Sequence, residues 1–226
     1  MKRSEINKIL TDAYAFIEAK GFRLPVWALT PAAEWAVRGA EYDEIRDLGL
    51  GWDVTDYGHG KFAEIGLTLF TIRNGSASDP RYPKPYAEKL LITRENQVCP
   101  CHFHQRKRED IINRGGGILC MRLWQSSEDG GLSADNFEVN SDGVNMTMRP
   151  GDILRLAPGE SVTLTPGLYH SFWAEAGGGT VLAGEVSSVN DDLSDNHFYT
   201  EQARFPVIEE DESPLWLLCS EYKSAK

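Results

Sequence analysis

Cysteine is scarce in this chain of 226 residues: there are four, Cys99, Cys101, Cys120 and Cys219. None forms a C-x-x-C pair, so neither a zinc ribbon nor a thioredoxin-type redox site is encoded. They read as small buried residues in a reducing compartment, with Cys99 and Cys101 on one face of a strand. Long apolar runs are also missing. No stretch approaches the roughly 18 apolar residues of a transmembrane helix. Met1-Lys2-Arg3-Ser4-Glu5 carries charge with no apolar segment behind it, so no secretory signal is expected and the cytoplasm is the expected location. Positive charge is in deficit: 23 Lys and Arg face 34 Asp and Glu, a net charge of −11. An acidic surface of that size repels nucleic acid and anionic membrane, which leaves a neutral small molecule as the expected partner. A phosphate loop of the form G-x-x-x-x-G-K is absent, and Gly115-Gly116-Gly117 reads as a flexible turn.

No repeat, low-complexity tract or break in composition marks a boundary. One domain spanning 1–226 is expected: a helical segment over 1–40, a β-barrel core over roughly 60–190, and an extension over roughly 190–226. A chain of this length buries enough apolar surface to need no disulfide staples. Ser4 is positioned to cap a helix whose apolar residues Ile6, Ile9, Leu10, Ala13, Phe16 and Ile17 follow a 3.6-residue period, with Gly21 ending it. Thr30 and Pro31 open a second, shorter helix that Gly39 closes. Strands are predicted over 62–72, 89–93, 117–125, 152–156, 161–164, 170–175 and 180–186. The turns Arg149-Pro150-Gly151-Asp152, Ala157-Pro158-Gly159-Glu160 and Thr165-Pro166-Gly167 punctuate them. Short strands at such regular spacing define a sandwich or barrel, with the helices packed outside.

Only five histidines exist, and two of them are spaced for one job in Cys101-His102-Phe103-His104-Gln105-Arg106-Lys107-Arg108-Glu109. In a strand, His102 and His104 point to the same side, roughly 7 Å apart along the backbone. Glu109 follows His104 at an odd spacing. It joins the same side only if residues 105–108 contain a bulge or turn. His170, delivered by the turn Thr165-Pro166-Gly167, is the remaining candidate ligand. Three imidazoles and one carboxylate suit manganese, iron, cobalt, nickel or zinc and disfavour calcium. Four protein ligands leave open positions on a five- or six-coordinate ion, as a catalytic metal requires.

These residues resemble the cupin motifs. His102-x-His104-x4-Glu109-x6-Gly116 is similar to the first. Gly159-x6-Pro166-Gly167-x2-His170 is similar to the second, with its proline displaced by one residue and Ala174 where an asparagine is familiar. Nearly the whole chain further resembles the D-lyxose isomerase family. The likeness is carried by the N-terminal helix, Pro85–Lys89, Cys101–Glu109, Pro166–Phe172, Gly184–Asp192, Asp195-Asn196, and Arg204-Phe205-Pro206 with the acidic run that follows. The resemblance implies a cupin barrel and one manganese ion. It also implies interconversion of D-lyxose with D-xylulose and of D-mannose with D-fructose, and a homodimer is the expected assembly.

Moving a carbonyl between C1 and C2 needs a Lewis acid on the sugar oxygens and a base that carries a proton. Glu185, a carboxylate near the end of an apolar strand, is the first candidate base, and Lys89 is the second. Arg204 is the candidate for holding substrate or stabilising the ene-diolate. Arg106-Lys107-Arg108 and Glu209-Glu210-Asp211-Glu212 read as solvated surface, and Asp191, Asp192 and His197 as turn residues. Tyr169, Phe172 and Trp173 either line the pocket or fill the core. The rival readings are a non-haem iron oxygenase on the same four ligands and a non-catalytic sugar-binding cupin.

Overall fold

The computed structural model describes residues 1–192 and 194–222. The helix α1 (Arg3–Ala19) is followed by short 3-10 turns and the single-turn helix α2 (Asp43–Asp47). The strands come next: β1 (Gly51–Thr55), β2 (Leu67–Arg73), β3 (Tyr86–Thr93), β4 (Cys99–His104), β5 (Glu109–Gly116), β6 (Leu119–Gln125) and β7 (Phe137–Ser141). Then follow β8 (Val144–Met148), β9 (Ile153–Leu156), β10 (Ser161–Leu164), β11 (Leu168–Ala174), β12 (Val181–Ser188) and β13 (Asn196–Phe198). One sheet has the order β1-β2-β3-β12-β5-β10-β7-β8, the other β13-β4-β11-β6-β9, and every strand pair is antiparallel.

Alternation along the strands builds two cores. Leu69, Leu91, Ile111 and Ala183 of the large sheet meet Leu119, Met121, Leu123, Leu156 and Phe172 of the small one inside the barrel. The residues between them on β1, β2, β3 and β12 (Trp52, Val54, Phe70, Leu90, Ile92 and Leu182) face outward and are buried under Ile6, Ile9, Leu10, Ala13 and Ile17 of α1. Covered on both sides, these strands read as continuous apolar runs. At the closed end, a Cβ on Gly116 would collide with the Thr180 carbonyl, and its φ is +105°, so the close approach of β5 and β12 there requires glycine. The buried amide at this end comes from Asn113, which donates to the Gly117 and Leu156 carbonyls at 2.9 and 2.8 Å. Ala174, at the motif position, packs in the core instead.

Several expectations change. The first helix starts at Arg3 with Lys2 as its cap residue, and Ser4 bonds the Asp211 carboxylate across the molecule. The second predicted helix is a 3-10 segment, Ala32–Val37. The strand expected from Phe62 begins at Leu67, because residues 61–66 form a turn that returns the Ile65 N–H to the Lys61 carbonyl. Cys99 and Cys101 do not share a face. Phe172 pairs with Cys99 while His170 pairs with His102, so β4 gains a residue at Pro100–Cys101. That bulge turns Cys99 inward with His102 and leaves Cys101 half-buried. The acidic run lies at the surface but grips α1: Glu210 and Glu221 together hold the buried Arg3 guanidinium.

Candidate metal centre and active site

The site lies between the sheets, at the end of the barrel away from Gly116. His102 and His104 project from β4, and His170 from β11, where His102 and His170 are cross-strand partners. The three rings offer ligand atoms that all lie within 4.8 Å of one another, and all three residues are buried. His102 Nδ1 lies 2.8 Å from the Pro100 carbonyl and His170 Nδ1 lies 3.0 Å from the Leu168 carbonyl. A carbonyl only accepts, so each Nδ1 carries the proton and each Nε2 keeps its lone pair, the arrangement of metal-binding histidines. Burial, then the neighbouring His170 and His104 rings, hold the His102 imidazole well below its usual range. Burial likewise lowers His170 to about 4. Both rings are therefore neutral and able to ligate near pH 7.

Glu109 opens β5, on the opposite sheet. The excursion needed to bring it there exists: β4 stops at His104, and residues 105–108 bend across the gap. Buried Asp195 holds the bend, its carboxylate accepting the Arg106 and Lys107 backbone N–H groups at 2.9 Å each. Glu109 Oε1 ends 3.2 Å from His104 Nε2 and 3.5 Å from His170 Nε2. Burial pushes its carboxyl up, but Lys107 and His104 outweigh that and hold it well below the usual carboxylate range.

Lys107 is the residue that sequence reasoning missed. Within a basic run it reads as solvated, yet it is buried, its ammonium 2.6 Å from Glu109 and 2.9 Å from Glu185. Burial works against that charge, and Glu109 and Glu185 more than restore it, so its pKa is raised. An odd spacing on both sides of the bend, His104 to Lys107 and His104 to Glu109, was the available signal. Glu185 and Lys89, the predicted base candidates, are cross-strand partners on β12 and β3, with Lys89 Nζ 3.6 Å from the Glu185 carboxylate. Arg204 reaches the same cleft and is already paired, 2.6 Å from Asp53 and 3.1 Å from Asp192. Asp192 is thus part of the site and no mere turn residue. Burial raises its carboxyl, but Lys89, Arg204 and Lys107 hold it well below its usual range. His197 stays outside, exposed and stacked on Phe103. Phe172 lines the cleft. Tyr169, buried, bonds the Gly130 carbonyl instead, and half-buried Trp173 lies beneath Arg122.

The residues fit a divalent ion. His104 Nδ1 is buried with no hydrogen-bond partner. The donor set is three imidazoles with a carboxylate beside two of them. Asp53, Glu109, Glu185 and Asp192 stand among Lys89, Lys107 and Arg204, so the site has carboxylates enough to accommodate a cation. The cleft has a cavity volume of about 50 Å³, and Leu67, Leu69, Leu91 and Ile111 line it together with these groups.

Fold and site together define a cupin-type barrel that carries three clustered histidines able to hold a metal ion and a carboxylate flanked by ammonium groups. Solved L-ribose isomerases share the fold. That of Cellulomonas parahominis superposes with a TM-score of 0.61 at 16% identity, covering 92% of this chain and 98% of its own. That of Geodermatophilus obscurus gives 0.61 at 18% identity over the same shares. Two curated proteins are nearer in sequence. The D-lyxose/D-mannose isomerase of Escherichia coli O157:H7 is 51% identical over 224 residues, 99% of both chains. Its counterpart from Serratia proteamaculans is 51% identical over 223 residues, 98% of both. The D-lyxose isomerase family model matches residues 1–222, and the chain belongs to that family. It is an aldose–ketose isomerase.

Proposed function

We propose that this chain interconverts D-lyxose with D-xylulose and D-mannose with D-fructose, using one divalent transition metal, manganese, held by His102, His104, Glu109 and His170. The observation that carries the reading is the juxtaposition in one cleft of three buried imidazoles, Glu109, and a second carboxylate, Glu185, that stands 2.9 Å from an ammonium. Both curated relatives bear the names of these two aldoses. The pairing is chemically consistent, since D-mannose repeats the configuration of D-lyxose at C2, C3 and C4.

When bound, the metal supplies Lewis acidity to the sugar oxygens at C1 and C2. The protein supplies the proton traffic. Glu185 takes the proton from C2 of the aldose and returns it to C1, while the hydroxyl proton of O2 passes to O1, giving the ketose through an ene-diol. Lys107 and Lys89 flank Glu185 and offer N–H donors to the oxygen that gains charge. Arg204 orients Asp192 at the edge of the cleft. The apolar wall of Leu67, Leu69, Leu91 and Ile111 excludes water from the reacting carbons.

The test is an assay under nitrogen with manganese and either D-lyxose or D-mannose. Ketose is expected without oxygen. No ketose under nitrogen, together with oxygen uptake when the assay is repeated in air, would overturn the reading in favour of an oxygenase. Replacing Glu185→Gln is expected to lower kcat about 10²- to 10⁴-fold, to leave metal content unchanged and to abolish incorporation of solvent deuterium at C1 of the ketose. Deuterium incorporation that survives the substitution would remove Glu185 from the role of base.

A further inference from the structure

Asn190 follows β12, outside the cleft lining, and its carboxamide is the point where the two ammonium groups of the site converge. Its Oδ1 accepts from Lys89 Nζ at 2.6 Å and from Lys107 Nζ at 3.3 Å. The other half of the same amide hydrogen-bonds Asp192. A short side chain that serves three charged groups must itself be fixed, and the fixing residue is Asn74, just beyond β2. Asn74 Oδ1 accepts the Asn190 backbone N–H at 3.0 Å, and Asn74 Nδ2 donates to the Asn190 carbonyl at 3.0 Å. The amide of Asn74 thus mimics one rung of a β-ladder and uses both its donor and its acceptor on one residue. Asn74 is buried. A buried amide satisfied in this reciprocal way has one orientation, since flipping it would set donor against donor.

We infer that Asn190, anchored by Asn74, is a positioning residue for the isomerisation: it sets where the Lys89 and Lys107 ammonium groups stand around Glu185. Lys107 is then gripped at both ends, its backbone N–H by Asp195 and its ammonium by Asn190. Without the neutral acceptor, each ammonium has only carboxylates to choose from. Lys107 would close on Glu109 and Glu185, and Lys89 on Asp192, which lies 3.3 Å away. Glu185 would then lose the flanking by Lys107 at 2.9 Å and Lys89 at 3.6 Å that holds its carboxylate in place at the cleft. Asn190 does this without touching substrate, so the loss falls on the chemical step and spares binding.

The inference rests on the isomerase reading above, and the experiment separates the two. Wild-type turnover is measured first, since its absence refutes the reading itself. Asn190→Ala and Asn74→Ala are then compared by kcat, KM, metal content and crystal structure. For both variants kcat is expected to fall about 10- to 100-fold with KM within about twofold, one metal per chain retained, and the 2.9 and 3.6 Å separations of Glu185 from the two ammonium groups altered. Asn74→Asp keeps the acceptor for the Asn190 N–H and loses the donor to its carbonyl. It is expected to give an intermediate loss, and it stands in if an alanine variant fails to fold. Unchanged kcat in the Asn74 variants would overturn the clamp. A raised KM at constant kcat in Asn190→Ala would overturn it too, by making Asn190 a substrate contact.

Discussion

The two ends of the barrel interior are built from the same strands, two residues apart. Reading inward-facing positions along β12 gives Val181 and Ala183, then Glu185 and Ser187. Along β3 it gives Thr93 and Leu91, then Lys89. Along β11, read in the opposite direction, it gives Ala174 and Phe172, then His170. At one end the wall is aliphatic, closed by Leu119, Met121 and Leu156. At the other nearly every side chain is ionisable and buried. Register is unbroken from one end to the other between β12 and β3 and between β11 and β6, so along these strands the difference is carried by side chains. The aliphatic end gains free energy by excluding water, at roughly 25 cal/mol per Å² buried. The ionisable end costs free energy unless each charge finds a partner. The dry half therefore secures the fold while the charged half is held ready for chemistry.

The largest test of that division is at the metal. His170→Gln is expected to remove one ligand and lower turnover by roughly a thousandfold or more, with metal content falling by elemental analysis. Chelation of the wild type should do the same, and added manganese should restore activity. Turnover that survives full metal removal would break the assignment of the ionisable end.

The converse test is in the dry half. Leu156 is fully buried against Leu119, and Leu156→Ala is expected to cost about 2–5 kcal/mol of stability, measured by urea unfolding. kcat well below the melting temperature should stay near that of the wild type. A loss of kcat comparable to that of His170→Gln, in protein that is still folded, would show that the two ends are not separable.

What could be read from sequence follows the same line. His102 and His104 were legible because an i, i+2 pair declares its face through strand geometry alone, and His170 because the turn Thr165-Pro166-Gly167 delivers it to a strand start. Glu109 was legible only conditionally, through the bend its odd spacing demands. Lys107 was not. Local sequence gives it the company of Arg106 and Arg108, and only the fold supplies Glu109 and Glu185 from two strands of the large sheet. Asp192 and Asn190 were hidden for the same reason, in a polar stretch whose partners Lys89 and Asn74 lie more than a hundred residues earlier. The alternating strands were found near their true bounds. The hairpin of β7 and β8 was passed over although Asp142-Gly143 is a two-residue turn signal, with φ of 51° and 84°. Its strands are half exposed, and Asn140, Asn145 and Thr147 blur the alternation.

A smaller effect separates the two ends by pH. In the metal-free chain the His170 pKa is lowered by burial from 6.5 to about 4. The unfolded chain binds a proton below about pH 6.5 that the folded chain refuses, so stability is complete above that pH and falls as pH drops toward 4. By pH 5 the loss from His170 alone is about 2 kcal/mol, and His102, lowered by the same burial, acts in the same direction. Urea titrations of metal-free protein at pH 7.5 and pH 5 measure it. Equal midpoints would mean that the rings are solvated and already charged, contrary to a sealed ionisable end.

The smallest effect lies at the seam between the two ends. Tyr57 Oη and Cys99 Sγ lie 3.0 Å apart in the cleft wall, both buried, beside Phe198 and within the aliphatic cluster. Burial pushes the Cys99 thiol up to about 12, even though the Tyr57 bond works to lower it. The thiol is therefore protonated at neutral pH and belongs chemically to the dry side. Tyr57→Phe removes one weak buried hydrogen bond and leaves the ring in place, so the expected cost is about 1 kcal/mol of stability. Turnover and metal content should not change, because neither group is ionised or ligating in the proposed reaction. Alkylation of Cys99, followed by mass spectrometry, should remain slow, since losing the bond raises the thiol pKa further. A large fall in kcat, or rapid alkylation of Cys99, would move this pair across the seam and make it part of the reactive end.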